Sequence, residues 1–203
     1  MCMSDIICVT NRKLCREDFL SRIERIAACR PLGIILREKD LSEDEYEELA
    51  VRAKEICSRY GVKCILHSFV NVALRLQADA VHLPLCILRE MTEDEKKHFS
   101  IIGASCHSVD EAKEAEALGC TYITAGHVFE TDCKKGVPAR GLSFLQSVCN
   151  SVSIPVYAIG GIDSENIASV RSAGAFGACL MSSLMVNEDV SGYLKSMEKQ
   201  YEV

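Results

Sequence analysis

The segment at residues 155–181, PVYAIGGIDSENIASVRSAGAFGACLM, contains one complete unit of strand, helix and strand. The apolar runs at residues 155–159 and 177–181 predict two strands. Between them, residues 164–173 have a helical pattern that ends at Gly174, as helices commonly do. Two strands joined through a helix are typical of parallel pairing, because parallel strands need a long crossover connection.

The same alternation runs through the whole chain. The predicted strands are residues 6–10, 33–36, 63–66, 80–83, 101–104, 121–125, 155–159 and 177–181. The predicted helices are residues 18–29, 42–60, 70–76, 85–98, 110–118, 143–148, 164–173 and 189–199. Eight such units predict an α/β fold, a single-domain (β/α)8 TIM barrel over residues 1–203. The alternative is an open doubly wound sheet, which is disfavoured because no Gly-x-Gly-x-x-Gly follows the first strand.

Composition narrows the classes of function. The chain has 203 residues, 48% hydrophobic and 26% charged, with a net charge of -6. The acidic balance predicts no binding to nucleic acid or to an anionic membrane. No apolar run approaches the roughly 18 residues of a membrane span, and the N-terminus lacks a signal-peptide pattern. We therefore expect a cytoplasmic protein whose twelve cysteines are reduced. Their spacing contains no zinc motif, so no metal site is predicted.

The residues that follow the predicted strands carry the chemistry. In an eight-stranded barrel the active site lies at the carboxyl ends of the strands. Many imidazole, hydroxyl and cationic groups and one thiol lie there: Arg37, Lys39, His67, Ser68, His82, Ser105, His107, His127, Thr131, Cys133, Lys134, Ser182 and Ser183. This local excess of cations and donors in an acidic protein predicts an anionic small molecule as ligand.

A glycine pair follows the seventh predicted strand. Gly160 and Gly161 have no Cβ, so their backbone can approach an anion closely. The loops after strands seven and eight commonly bind phosphate in this fold. Together with Ser182 and Ser183, the pair predicts a phosphate site. The alternative is a tight turn that needs glycine for its geometry alone.

Three histidines are ranked by their positions. An imidazole titrates near neutral pH, so it can take a proton and return it. His107, at the end of the fifth strand, is the first candidate for this role, and His127 is the second. His82 lies inside an apolar run and is interpreted as a packed barrel residue. Neither residues 67–69 nor residues 84–87 offer a carboxylate, so a preformed magnesium site is not predicted. The carboxylates that could still bind magnesium are those of Asp40, Glu130 and Asp132.

Five stretches carry a resemblance to a known family. They are ILREKD at 35–40, AVHL at 80–83, IGASCHS at 102–108, GHVFETDCKKG at 126–136 and YAIGGI at 157–162. Through them the chain resembles the thiamine phosphate synthase/TenI superfamily over nearly its whole length. The stretches at 102–108 and 126–136 are similar to TenI, the thiazole tautomerase branch.

The chain departs from the synthase branch of that superfamily at three positions. The two aspartates that bind magnesium in the synthases correspond to Ser68 and Ile87, and the asparagine that binds the pyrimidine corresponds to His67. The resemblance therefore implies an isomerase of thiamine biosynthesis that uses no cofactor. Its substrate would be the carboxylated 4-methylthiazole ethyl phosphate tautomer, which loses a proton at ring C2 and gains one at the exocyclic carbon.

The resemblance also implies roles for individual residues. His107 would carry the proton, and Gly160, Gly161, Ser182 and Ser183 would hold the phosphate. The further candidates for substrate binding are Arg37, Lys39, Ser105, His127, Thr131, Cys133 and Lys134. The resemblance further suggests a homodimer. Two alternatives stay open: a thiamine phosphate synthase, and a regulator that binds thiazole phosphate without turnover.

Overall fold

Eight parallel strands form a closed barrel. The computed structural model describes residues 3–131, 134 and 136–201. The strands are β1 Met3–Val9, β2 Pro31–Leu36, β3 Lys63–His67, β4 Ala80–Pro84, β5 Ile101–Cys106, β6 Tyr122–Gly126, β7 Val156–Ile159 and β8 Gly177–Leu180. Each strand pairs with the next in sequence, and β8 pairs with β1. The predicted (β/α)8 barrel is confirmed.

Helices connect the strands. They are α1 Phe19–Ala28, α2 Glu43–Tyr60, α3 Val70–Arg75, α4 Leu85–Glu90, α5 Glu93–Lys96, α6 Val109–Ala117, α7 Gly141–Cys149, α8 Ile167–Ser172, α9 Ser182–Val186 and α10 Val190–Tyr201. A 3-10 turn, Arg12–Leu14, follows β1. Within the described residues, no helix has both the length and the apolar character that crossing a membrane requires.

The prediction of one helix over residues 85–98 is wrong. The backbone is extended at Met91, with φ −69° and ψ 132°, and this ends α4. Thr92 then starts α5, because its hydroxyl accepts a hydrogen bond from the backbone N–H of Glu95 while the Glu95 carboxylate accepts one from the Thr92 N–H. A capping box inside an apolar pattern interrupts the helix, although hydrophobic spacing alone does not show the break.

The barrel interior is filled below the cavity. Ile7, Ile35, Tyr122, Tyr157 and Cys179 belong to a buried inner cluster that is separate from the larger core between sheet and helices. The Tyr122 ring passes so close to β5 that a Cβ at Gly103 would lie 2.2 Å from the Tyr122 Cζ. These side chains fill the barrel interior, and the open space lies at the carboxyl ends of the strands.

Candidate active site

A cavity of about 760 Å³ opens at the carboxyl ends of the strands. It brings together nearly all of the predicted site residues: Arg37, Lys39, Ser105, His107, His127, Thr131, Lys134, Gly160, Gly161, Ser182 and Ser183. Cys133, the remaining candidate, lies outside the described residues. The geometry places the predicted residues around one space, and their individual roles stay predictions.

The glycine pair has a packing role whatever else it does. Gly160 and Gly161 have φ values of 100° and 66°, in the left-handed region that favours glycine. A Cβ on Gly160 would lie 2.3 Å from the His127 Cβ, and one on Gly161 would lie 2.3 Å from the backbone oxygen of Glu130. The Phe129 N–H also donates to the Gly160 carbonyl at 3.0 Å. The loops after β6 and β7 are therefore fitted together at these glycines.

Ser182 and Ser183 begin α9, a helix that the sequence did not predict because five residues show no periodicity. A buried arginine from α1 holds this helix. Arg22 Nη1 donates to the backbone oxygen of Leu184 at 3.3 Å and to that of Asn187 at 2.5 Å. A buried charge is costly unless hydrogen-bonded, so this contact fixes α9 beside the cavity. Sequence reasoning missed Arg22, because its contacts join α1 to residues that are far away along the chain.

Arg37 and Lys39 form a cationic wall after β2. Between them, the buried carboxylate of Glu38 accepts hydrogen bonds from the Thr10 hydroxyl at 2.8 Å and from the Arg12 backbone N–H. Glu38 is therefore hydrogen-bonded to the segment that follows β1. Neither Arg37 nor Lys39 forms an ion pair within the part of the chain that the structure describes. Burial, and then the charge of Arg37, lowers the pKa of Lys39. Cations at a cavity without carboxylate partners favour an anionic ligand.

The two histidines that directly follow β5 and β6 each have one ring nitrogen hydrogen-bonded to a backbone carbonyl oxygen. His107 Nδ1 lies 2.8 Å from the Gly126 oxygen, and His127 Nε2 lies 3.1 Å from the Val137 oxygen. A carbonyl oxygen only accepts, so these two nitrogens carry the protons. In the neutral rings, His107 Nε2 and His127 Nδ1 therefore keep their lone pairs. Both rings are held as potential bases at the cavity wall.

The two histidines differ in whether a ring nitrogen is buried without a hydrogen-bond partner. His127 is 4% exposed, and its Nδ1 is buried with no hydrogen-bond partner among the described residues. His107 is half-buried, and neither of its ring nitrogens is among the buried side-chain atoms of the described residues that lack a partner. Buried polar atoms in native proteins nearly always have a partner, so an unsatisfied one at a cavity wall points to a bound ligand or to catalysis.

His67 and His82 line the inner part of the cavity as neutral rings. They are stacked with ring centroids 5.9 Å apart. Burial is the first cause that lowers the pKa of His67 to about 2 and that of His82 to about 3. Both nitrogens of His82 are hydrogen-bonded, as expected of a packed barrel residue, but one of its partners is Ser105 at the cavity.

The carboxyl ends of β3 and β4 do not supply magnesium ligands. The Ser68 hydroxyl is hydrogen-bonded to His67 Nδ1 at 2.7 Å, and Ile87 packs against the apolar core. Across the described residues, no group of three or more histidine, cysteine, aspartate or glutamate side chains could hold a metal ion. Two neutral imidazoles, a hydroxyl and an isoleucine do not fit the oxygen ligands that magnesium prefers.

Cys106 is not a nucleophile in this arrangement. Its side chain is buried, its thiol faces the Glu111 carbonyl oxygen at 3.6 Å, and burial raises its pKa to about 12. A thiol reacts as the thiolate, which is scarce at neutral pH when the pKa is so high.

Comparison with known proteins identifies related sequences. A family model described as Thiamine monophosphate synthase matches residues 6–184. A thiamine-phosphate synthase from Fusobacterium nucleatum subsp. nucleatum is 32% identical over 202 residues, covering 97% of this chain and 96% of that protein. Thiamine-phosphate synthase 2 from Streptococcus pneumoniae serotype 4 is 36% identical over 191 residues, covering 91% and 88%.

Solved structures agree with these relatives. A thiamine phosphate pyrophosphorylase from Pyrococcus furiosus superposes with a TM-score of 0.83 at 29% sequence identity, covering 98% of this chain and 96% of that one. A 3-hexulose-6-phosphate synthase superposes with a TM-score of 0.72 at 15% identity, covering 97% and 99%. The second likeness shows the fold alone.

Proposed function

The chain belongs to the thiamine monophosphate synthase family, and on that premise we propose that it is an isomerase of the TenI type. Its relatives are named as synthases, which are transferases, so the family by itself favours coupling of two substrates. The observation that carries the isomerase proposal is the donor set at the ends of β3 and β4. Neutral histidines, Ser68 and Ile87 stand there, where the synthase reaction needs magnesium carboxylates.

The proposed substrate is the carboxylated 4-methylthiazole ethyl phosphate in its non-aromatic form. It carries two anionic groups. The loops at Gly160 and Ser182 would hold the phosphate, and Arg37 with Lys39 would hold the carboxylate. Thr131 and Lys134, from the loop after β6, line the same cavity and are further candidates for binding. The reaction moves one proton within the substrate, so the protein has only to bind two anionic groups and transfer that proton.

Proton transfer is assigned to the wall formed by His107 and His127. The C2–H bond breaks and its proton moves to an imidazole lone pair. The imidazolium then returns a proton to the exocyclic carbon, where the new C–H bond forms as the ring becomes aromatic. His127 has the stronger structural case, because its Nδ1 is buried and unsatisfied by the described residues. Its Nε2–H stays on the Val137 carbonyl, which keeps Nδ1 free to accept. His107, the first choice from sequence, stays a predicted base.

The decisive experiment follows the isomerisation by ultraviolet absorbance without magnesium. We would compare wild type with His127→Asn and His107→Asn, since asparagine keeps a polar group but cannot act as a base. We expect wild type to convert the substrate and His127→Asn to lose about 10²- to 10⁴-fold in rate. A large loss in His107→Asn with none in His127→Asn would move the base to His107.

The synthase alternative is tested on the same preparation. Coupling of thiazole phosphate with the pyrimidine diphosphate in magnesium, without isomerase activity, would make the relatives' printed activity the correct one for this chain. If neither reaction occurs while calorimetry detects thiazole phosphate binding, the protein is a binder without turnover. The predicted homodimer and cytoplasmic location stay predictions, and sedimentation of the purified protein tests the first.

A further inference from the structure

A chain of three polar side chains leads from the buried barrel interior to the cavity. The Tyr122 hydroxyl lies 2.9 Å from His82 Nδ1, and His82 Nε2 lies 2.9 Å from the Ser105 Oγ. Tyr122 and His82 are 6% and 3% exposed, whereas Ser105 is half-buried and lines the cavity. The three residues come from β6, β4 and β5, so the barrel alone brings them together.

The donors and acceptors that each side chain offers determine the direction of the hydrogen bonds between these three residues. The Tyr122 hydroxyl has no second partner among the described residues, and a buried O–H that donates to nothing is costly. It therefore donates to His82 Nδ1. Burial keeps the pKa of His82 near 3, so the ring is neutral and has a single N–H. That N–H is on Nε2, and it donates to the Ser105 oxygen.

We propose that Tyr122 and His82 are positioning residues that fix Ser105 as a hydrogen-bond donor to the heterocyclic part of the substrate. With its oxygen accepting from His82, the Ser105 hydroxyl directs its own proton towards the cavity. This assignment rests on the proposed isomerase function for its chemistry. When C2 loses its proton, negative charge spreads over the conjugated ring as well as the carboxylate, and a donor already aimed at the ring stabilises that charge more than the ground state.

A direct test determines the tautomer of His82 by nitrogen NMR on the whole protein labelled with ¹⁵N-histidine. The signals are assigned by their loss in His82→Gln. We expect Nε2 to be protonated and Nδ1 to be unprotonated at pH 7. In Tyr122→Phe the Nδ1 acceptor loses its donor, so the signals should shift towards the other tautomer. Protonation of Nδ1 in the wild type would overturn the proposal, and this readout does not depend on any activity.

A double-mutant cycle then tests the role in turnover. Ser105→Ala and Tyr122→Phe should each lower kcat about tenfold and change KM less than twofold, although Tyr122 does not line the cavity. The double variant should be no slower than Ser105→Ala alone, because both changes remove the same donor. Tyr157→Phe, a buried barrel tyrosine outside the two bonds of His82, is the matched control and should stay within about twofold of wild type.

Failure of the proposed isomerase function and failure of the proposed Ser105 positioning give different results. If the wild type couples two substrates and does not isomerise, the proposed function fails, and the cycle is measured on the coupling reaction. Additive losses, or an unchanged kcat in Tyr122→Phe, would overturn the relay for either reaction. Should Tyr122→Phe fail to fold, the wild-type tautomer and the comparison of Ser105→Ala with Ser105→Thr decide, because threonine restores the hydroxyl and should recover most of the lost kcat.

Discussion

The two ends of the cavity are built from different chemistry. The glycine end (Gly160, Gly161, Ser182 and Ser183) offers backbone at close approach and hydroxyl groups. The histidine end (His67, His82 and Ser105) offers two neutral rings, each hydrogen-bonded to a serine hydroxyl. The first end suits an anion held without metal, and the second suits an uncharged or weakly charged ring. Positions 68 and 87, where the resemblance to the synthases implies magnesium-binding carboxylates, hold a serine and an isoleucine.

The largest effect is expected at the glycine end, from Gly160→Ala. The new Cβ would meet the His127 Cβ at 2.3 Å on a backbone with φ of 100°. Strain and overlap together should lower the free energy of unfolding by about 2–4 kcal/mol. Urea unfolding measures this. Gly119→Ala is the matched control, because its φ is also positive, at 90°, but the new Cβ meets nothing within 4 Å. Equal losses in the two variants would remove the packing role from Gly160.

The histidine end should make stability depend on pH. The pKa values of His67 and His82 are about 2 and about 3 in the fold, below the ordinary 6.5. The unfolded chain therefore binds these protons first as pH falls, so the contribution is complete above about pH 6.5 and is lost towards pH 3. Each histidine should cost up to about 1.4 kcal/mol per pH unit in that window.

This pH dependence is measured as the free energy of unfolding in urea between pH 7 and pH 5. His82→Gln cannot titrate at this position, so its stability should fall less steeply with acid, by close to one proton. An identical slope in the variant and the wild type would show that His82 is not the group that is buried neutral. His67→Gln provides the parallel comparison at the other ring.

A smaller effect is expected from Ser182→Ala. If this hydroxyl donates to the substrate phosphate, its loss should raise KM about three- to tenfold and leave kcat nearly unchanged, because the bond is present in both ground and transition states. Steady-state kinetics separate the two constants. Ser172→Ala on α8 removes an exposed hydroxyl that bonds to its own helix and should change neither constant. A fall in kcat for Ser182→Ala would place the hydroxyl nearer to the reacting atoms.

The smallest effect is expected from a chelator. Positions 68 and 87, where the resemblance implies magnesium carboxylates in a synthase, are a serine and an isoleucine, so EDTA should leave the isomerisation rate within about twofold. The same treatment of a relative that couples two substrates provides the positive control. An isomerisation rate that EDTA abolishes and magnesium restores would contradict a mechanism that needs no metal.

Local sequence signals predicted most of the fold. Alternating apolar runs and amphipathic stretches gave the strands within a few residues, and Ser42 with Glu45 forms the expected capping box at the start of α2. Signals failed where an element is short or a cap interrupts a pattern. The five residues of α9 have no period, and the break at Met91 and Thr92 divides the helix that apolar spacing alone extends to His98. A helical period can be recognised only over several turns, because a few apolar residues can fall at helical spacing by chance.

Sequence signals likewise predicted some features of the candidate site and missed others. Strand order along the chain, together with the rule that barrel sites lie at the carboxyl ends of strands, was sufficient to nominate Arg37, His107 and Gly160. It could not rank His107 against His127, because the ranking depends on which ring nitrogen is buried without a partner. Nor could it join Tyr122 to His82, since the two are 40 positions apart and meet only across the barrel.

The sequence by itself determined the barrel, the glycine pair and the absence of carboxylates at positions 68 and 87, because these are properties of residue types and their spacing. Only the tertiary structure decided which groups are neutral, which hydroxyl donates and which imidazole nitrogen is free. Those properties depend on burial and on partners from distant strands, and burial sets the free energy of a charge or an unpaired donor.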